Sequence, residues 1–187
     1  MSGGERAISG KRIPLYLLLL LFTLGFVYVA YILEYGPVKI LRYYILVYAA
    51  FGLACIDLQK QIIPNKILLI LLGIRGILFL PEMLLYPDYA GNFIWSAVSG
   101  ALFGMAVLFA GYFVCKKGMG MGDIKLFGVI GWYVGPTAVM VMMFFSLCAA
   151  AVYSIILLIL KRIDKKDEIP FAPFCFAGVV IGALLGV

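Results

Sequence analysis

Long apolar runs, each closed by a polar or proline-containing break, limit what this chain can become more than any other feature. They cover residues 14–33, 38–56, 67–80, 93–114, 137–160 and 171–187. An α-helix needs about 20 apolar residues to cross the roughly 30 Å of hydrocarbon in a bilayer, because it rises about 1.5 Å per residue. The chain is 65% hydrophobic and only 13% charged, with a mean hydropathy of +1.13, far from the roughly one quarter charged of a soluble domain. The expected class is an all-α polytopic integral membrane protein of about seven transmembrane helices. At 187 residues it leaves almost nothing for a soluble domain.

The first run follows a basic start that holds Arg6, Lys11 and Arg12. It is longer than the apolar part of a signal peptide and no small-x-small cleavage site follows it, so it reads as a retained first span. Glu34 to Pro37 reads as a turn, and residues 1–37 as a cytosolic N-terminus plus the first helix. Pro64 stops one helix or opens the next. Pro81 to Asn92 reads as a loop carrying Glu82 and Asp88. Arg75, inside the third run, is expected to snorkel to the outer interface. Ser96, Gly100 and Gly104, and again Gly178, Gly182 and Gly186, recur every four residues, a spacing that lets another helix approach closely.

One segment is too short to cross. From Gly122 to the Gly135-Pro136 turn there are about fourteen residues, roughly 20 Å against about 30 Å of hydrocarbon. Either the glycine run before it or the turn after it must dip into the bilayer, where irregular backbone survives only inside protein or against a water-filled cavity.

Cations orient the chain. The N-terminus, the 57–66 loop, the 115–125 loop and the 161–168 loop hold 3, 2, 3 and 4 Lys or Arg, twelve of the fifteen. Positive charge marks the cytosolic side, so the N-terminus is expected in the cytosol and the C-terminus outside. The net charge of +6 is explained by this topology, without a nucleic-acid partner. Cys55, Cys115, Cys148 and Cys175 form no Cys-x-x-Cys, so neither a zinc site nor a disulfide framework is indicated. No long internal repeat is visible, which weighs against inverted-repeat transporters.

The same orientation puts two acids at one face: Asp57, after the second run, and Asp123, after Gly120 and Gly122. An ionisable residue bordering the hydrocarbon marks a functional site. Two carboxylates close enough to share a proton cannot both ionise, which leaves one as base and one as acid. Such a pair can activate water against a peptide carbonyl without a metal or cofactor. The chain has no histidine, so a Ser-His-Asp triad, a Cys-His pair and a His-x-x-x-His zinc site are excluded. Gly120 and Gly122 would permit positive φ or a close approach of substrate to Asp123. Residue type alone leaves a second reading open for each acid: Asp123 as a helix N-terminal cap, and Asp57 as a helix-terminal acid at the interface.

Asp57 with Ile63-Pro64-Asn65, Gly120-x-Gly122-Asp123-x-Lys125-Leu126, and Ile169-Pro170-Phe171-Ala172-Pro173-Phe174 opening the last run together resemble the type IV prepilin peptidase family, the GxGD-type aspartic proteases of the bacterial cytoplasmic membrane. The resemblance covers residues 38–187, a six-helix peptidase core. It implies Asp57 and Asp123 as the catalytic pair and Gly120 and Gly122 as the loop shaping the site. Lys125, Pro64, Asn65, Pro170, Phe171 and Pro173 match family positions with structural or substrate-facing roles. Ala172 stands where the family commonly has Gly. Many members carry a Cys-x-x-Cys domain associated with N-methylation; its absence here implies a peptidase alone. Presenilin and signal peptide peptidase share Gly-x-Gly-Asp, but no Tyr-Asp precedes it here and no Pro-Ala-Leu follows.

The implied substrate is a pilin-like precursor, a short basic leader joined to an apolar helix and cut at their junction on the cytosolic face. Partners are therefore such precursors and membrane lipid, with a homo-oligomer also compatible. Two other readings remain at this point. One is a small carrier using Asp57 and Asp123 as an ion or proton relay. The other is a non-catalytic assembly factor with both acids as helix caps.

Overall fold

The computed structural model describes residues 2–114, 120–160 and 169–186, of which 2–15 and 114 as backbone only. Among the described residues seven α-helices follow one another: α1 (Ser2–Ile32), α2 (Pro37–Lys60), α3 (Asn65–Leu85), α4 (Ala90–Val114), α5 (Met121–Val134), α6 (Pro136–Ile159) and α7 (Ala172–Leu184), with a 3₁₀ turn at Pro87–Tyr89 before α4. No strand occurs among the described residues. Pro37–Lys60, Asn65–Leu85, Pro87–Phe113 and Pro136–Ile159 are long and apolar enough to cross a membrane, while Tyr16–Ile32 and Ala172–Leu184 are shorter apolar helices. The protein is an all-α polytopic membrane protein. Cys115, Lys116, Lys117 and Gly118, and the 161–168 loop with its four cations and Asp164, Asp167 and Glu168, lie outside the described residues.

Proline sets several boundaries. Pro37 and Pro136 open α2 and α6, positions whose N–H has no partner within the helix. Pro64 is the residue before α3, extended at φ −69° and ψ 119°. Pro81 does not act as a stop. α3 continues through it to Leu85, and the stretch expected as a loop, Pro81 to Asn92, is instead the end of α3, the 3₁₀ turn and the start of α4. Neighbouring helices can satisfy the backbone that a proline frees inside an apolar bundle.

The continuation of α3 changes the meaning of Arg75. Its side chain does not reach an outer interface: the residue is 1% exposed. Its Nη1 pairs with Glu82 Oε2 at 2.9 Å, and Glu82 Oε1 also pairs with Arg42 Nη1 of α2 at 3.2 Å. The Arg75 guanidinium stacks over Phe79, 4.1 Å from the ring centroid, and its Nε donates to the Trp132 carbonyl at 3.4 Å. Burying a charge without a partner is costly. Glu82, two helical turns along α3, provides the partner that the snorkelling expectation lacked.

The small residues of α4 meet α5 as their spacing predicts. A Cβ on Gly104 would lie 2.6 Å from the Phe127 carbonyl oxygen. One on Gly100 would run into the Gly131 carbonyl oxygen, and one on Gly135 into Ser96 Oγ. Gly135, at φ 86°, is the single residue between α5 and α6, a conformation that side-chain-bearing residues rarely adopt. Gly178 and Gly182 of α7 pack in the same way on Met142 and Ser146 of α6. α1 rests on α2 through the fully buried Phe22 and Phe26, whose rings meet Tyr44 at 5.6 and 5.4 Å. Tyr35 Oη donates to the Gly186 carbonyl at 2.7 Å, tying the end of α1 to the end of α7.

Candidate active site

Asp57 is buried in the last turn of α2. A negative charge is unfavourable at the carbonyl end of its own helix, so its environment must come from elsewhere. It comes from α7. Ala172 N–H donates to Asp57 Oδ2 at 3.0 Å, and the Phe171 N–H is also directed at this carboxylate. The first N–H groups of a helix have no partner within it and form a natural anion site. Pro173 occupies the second position of α7 and has no N–H of its own. The Phe-Ala-Pro sequence thus presents two donors to Asp57.

Asp123 belongs to the first turn of α5, a helix outside the four that can cross alone. The residue preceding α5 is Gly120, extended at φ −69° and ψ 137°, and it offers no side-chain cap. Asp123 is therefore not the N-cap but the third helical residue. Its N–H donates to the Gly120 carbonyl at 3.1 Å, and its carboxylate receives the Gly120 N–H, the returning half of a capping box. Burial pushes the Asp123 carboxyl up to about 6, the charge of Asp57 pushes it in the same direction, and the Gly120 N–H partly opposes them. The two acids are close enough to sense each other.

The expectation of positive φ at the glycines does not hold. Gly120 is extended, Gly122 is helical, and only Gly135 and Gly186 have positive φ among the described glycines. A helix start needs an extended residue followed by helical ones, which any residue can provide. Space is what demands glycine here. A Cβ on Gly120 would sit 3.0 Å from Asp123 Oδ2, and one on Gly122 would sit 3.1 Å from Ile63 Cβ.

The register of the α4–α5 seam also gives the depth of the acid. Gly104 faces Phe127 and Gly100 faces Gly131, so four residues back from Phe127, Asp123 lies level with Leu108. α4 runs six residues further, to Val114, or about 9 Å. The Asp123 carboxylate is recessed below the end of α4.

A pocket of about 290 Å³ gathers Asp57, Gln61, Ile62, Ile63, Asn65, Gly120, Gly122, Asp123 and Lys125. The sequence motifs touch each other within it: Ile63 against Gly122, and Lys125 Nζ donating to Asn65 Oδ1 at 3.1 Å. Pro64, Pro170, Phe171 and Pro173 do not line it. Pro64 precedes α3, Pro170 precedes the Phe171 cap of α7, and the Phe171 ring packs on Phe127 with centroids 6.1 Å apart. Sequence reasoning missed Gln61 and Ile62, which lie between Asp57 and Ile63-Pro64-Asn65 and could have been found from that position alone. It also missed the Ala172 N–H, which no side-chain pattern reveals. Cys175, one turn into α7, is fully buried and near both carboxylates. Among the described residues no group of three or more His, Cys, Asp or Glu converges in a way that could hold a metal.

A family model described as the type IV leader peptidase family matches residues 44–155. The chain is 36% identical over 140 residues to a prepilin leader peptidase/N-methyltransferase of Bacillus subtilis, covering 71% of this chain and 51% of that protein. It is 30% identical over 149 residues to the protein of the same name from Aeromonas salmonicida strain A449, covering 76% and 48%. It is 31% identical over 134 residues to the leader peptidase HopD of Escherichia coli, covering 67% and 81%. The chain thus spans about half the length of the first two relatives. No solved structure matches it.

Proposed function

The chain belongs to the type IV leader peptidase family, and from that premise we propose that it is an aspartic endopeptidase of the bacterial cytoplasmic membrane, removing the basic leader of pilin-like precursors at the cytosolic face. The peptidase unit is the six-helix core of residues 38–187, with the first helix packed against it and the N-terminus in the cytosol. One observation carries this reading: two acids 66 residues apart in sequence, from α2 and α5, line a single open pocket. A proton relay through the protein would be better served by acids facing separate cavities.

The chemistry follows from the two environments. Asp57, which takes the α7 N–H donors, is the base. Asp123, pushed up to about 6, holds the proton. Asp57 takes a proton from water as the oxygen attacks the scissile carbonyl carbon, and Asp123 gives its proton to the carbonyl oxygen. The tetrahedral intermediate collapses as the C–N bond breaks. The departing nitrogen takes the proton held by Asp57, and Asp123 recovers one from the intermediate's hydroxyl, leaving a carboxylic acid and an amine. Gly120 and Gly122 leave room beside Asp123, while Lys125 and Asn65 hold α5 to α3 at the rim. Pro170, Phe171 and Pro173 shape the start of α7 that holds Asp57, and Pro64 shapes the start of α3 that carries Asn65. The peptidase reaction alone is proposed for this chain.

The test is Asp57→Asn and Asp123→Asn, each co-expressed with a pilin-like precursor and followed by the shift in precursor size on a gel. Each variant should insert and fold yet leave the precursor uncut. Cleavage near the wild-type rate by either one overturns the dyad.

A further inference from the structure

A second cavity, of about 420 Å³, adjoins the aspartate pocket and shares Asn65 and Lys125 with it. Its character is different. Beyond those two rim residues it is lined by apolar or small residues of three helices, among them Leu69 and Leu72 of α3, Ala101 and Met105 of α4, and Val129 of α5. Leu72 lies seven residues along α3 from Asn65, so the groove descends about 10 Å from its mouth. Leu69 is 67% and Leu72 37% exposed, on a helix that can cross the membrane, so the groove opens sideways toward lipid. It is also as large as a small-molecule site, which begins at about 300 Å³.

We propose that this groove between α3, α4 and α5 seats the apolar helix of the precursor, entering from the bilayer. This rests on the peptidase reading above. The two cavities then match the two parts of such a substrate. The apolar segment lies along Leu69, Leu72, Ala101 and Met105, and the polar junction passes over the hydrogen-bonded Asn65–Lys125 pair to reach Asp57 and Asp123. The continuity through Asn65 and Lys125 argues for substrate over a lipid chain, which would have no reason to end at a pair of catalytic acids. Met105 suits the role, because a flexible thioether repacks against varied apolar partners. The groove thus adds specificity for the membrane segment of the precursor.

Photo-crosslinking tests it directly. Benzoylphenylalanine is placed at Leu69, and separately at Ile70, which is equally exposed to lipid but outside the groove. Both are built in an Asp123→Asn chain with a pilin-like precursor in lipid nanodiscs. Position 69 should give a photoproduct with the precursor's apolar segment, and position 70 should not. Equal yields from the two positions, or a product with lipid alone from position 69, overturn the proposal. In the otherwise wild-type chain, Ala101→Phe fills the groove. The ratio of kcat/KM for the full precursor to that for a soluble peptide spanning only the cleavage junction should fall about tenfold, and an unchanged ratio overturns the proposal. If the wild-type chain cuts neither substrate the peptidase reading fails, while the photoproduct at position 69 still reports on the groove.

Discussion

Asp57 and Asp123 are the same residue type with different partners. Burial desolvates both, but Asp57 faces two N–H donors at the start of another helix, while Asp123 has one, from Gly120, and a neighbouring negative charge. This has a consequence for stability. A carboxyl raised from 3.8 to about 6 binds its proton more tightly in the folded state, so its stabilising contribution is present below about pH 4 and is lost as pH rises through about 6. Asp123→Asn, expected to be inactive, should therefore raise the thermal midpoint at pH 7.5, with a gain that shrinks toward pH 4. A midpoint lowered at pH 7.5 would contradict the assignment. Gly122→Val is the converse case. Its added carbons push against Ile63 in the pocket wall, and a displacement of about 1 Å at such a site can cost about a hundredfold in rate. The cleavage assay should register that loss with little change in thermal midpoint, whereas Gly73→Val, whose Cβ meets open space, should leave both unchanged. Residue type and topology put both acids at one face but left a helix-terminal reading open for each, and the motif resemblance is what paired them. The reason for the glycines was not, because φ and proximity call for the same residue and only a three-dimensional neighbour such as Ile63 separates them.

Among the helices, α2 and α3 are joined at their far ends by one carboxylate serving two guanidiniums, Arg42–Glu82–Arg75. Glu82→Gln would leave both cations facing a neutral amide, and removing one partner from a buried ion pair costs about 3–5 kcal/mol. The thermal midpoint should fall markedly, with a smaller fall for Arg42→Gln, whose side chain is 13% exposed against 2% for Arg75. An unchanged midpoint for Glu82→Gln would show that the pair contributes nothing net. The six apolar runs located six of the seven described helices, and the short segment after Gly122 is the seventh, α5. They misplaced the end of α3 because Pro81 reads as a stop in water, whereas in a bundle other helices shelter the freed backbone. With Glu82 assigned to a loop, Arg75 had no visible partner. The seven-residue spacing between them, two turns on one helical face, was the signal available.

At the scale of the whole molecule, the site is assembled from segments far apart in the chain. α7 reaches back to Asp57 across 115 residues, and Lys125 reaches Asn65 across 60. Those pairings could not be read from sequence, because hydropathy places helices in the membrane without saying which ones touch. The four-residue spacing of small residues did indicate a close seam, and α4 and α5 form it. The nature of that contact governs how the protein can recover from mutation. At Gly100 an added methyl meets the backbone of Gly131 and Gly135, the latter Cα at 2.7 Å. At Gly128 it meets the side chain of Met105, with Cγ at 2.7 Å and Sδ at 2.9 Å. A side chain can be shortened by a second mutation and a backbone cannot. A selection for restored folding should therefore return Met105→Ala as a second-site suppressor of Gly128→Ala, while Gly100→Ala should yield only reversion to glycine. Suppressors of Gly100→Ala at position 131 or 135 would show that the seam has slack. Without them, this pair of helices has a genetic signature as rigid as its geometry.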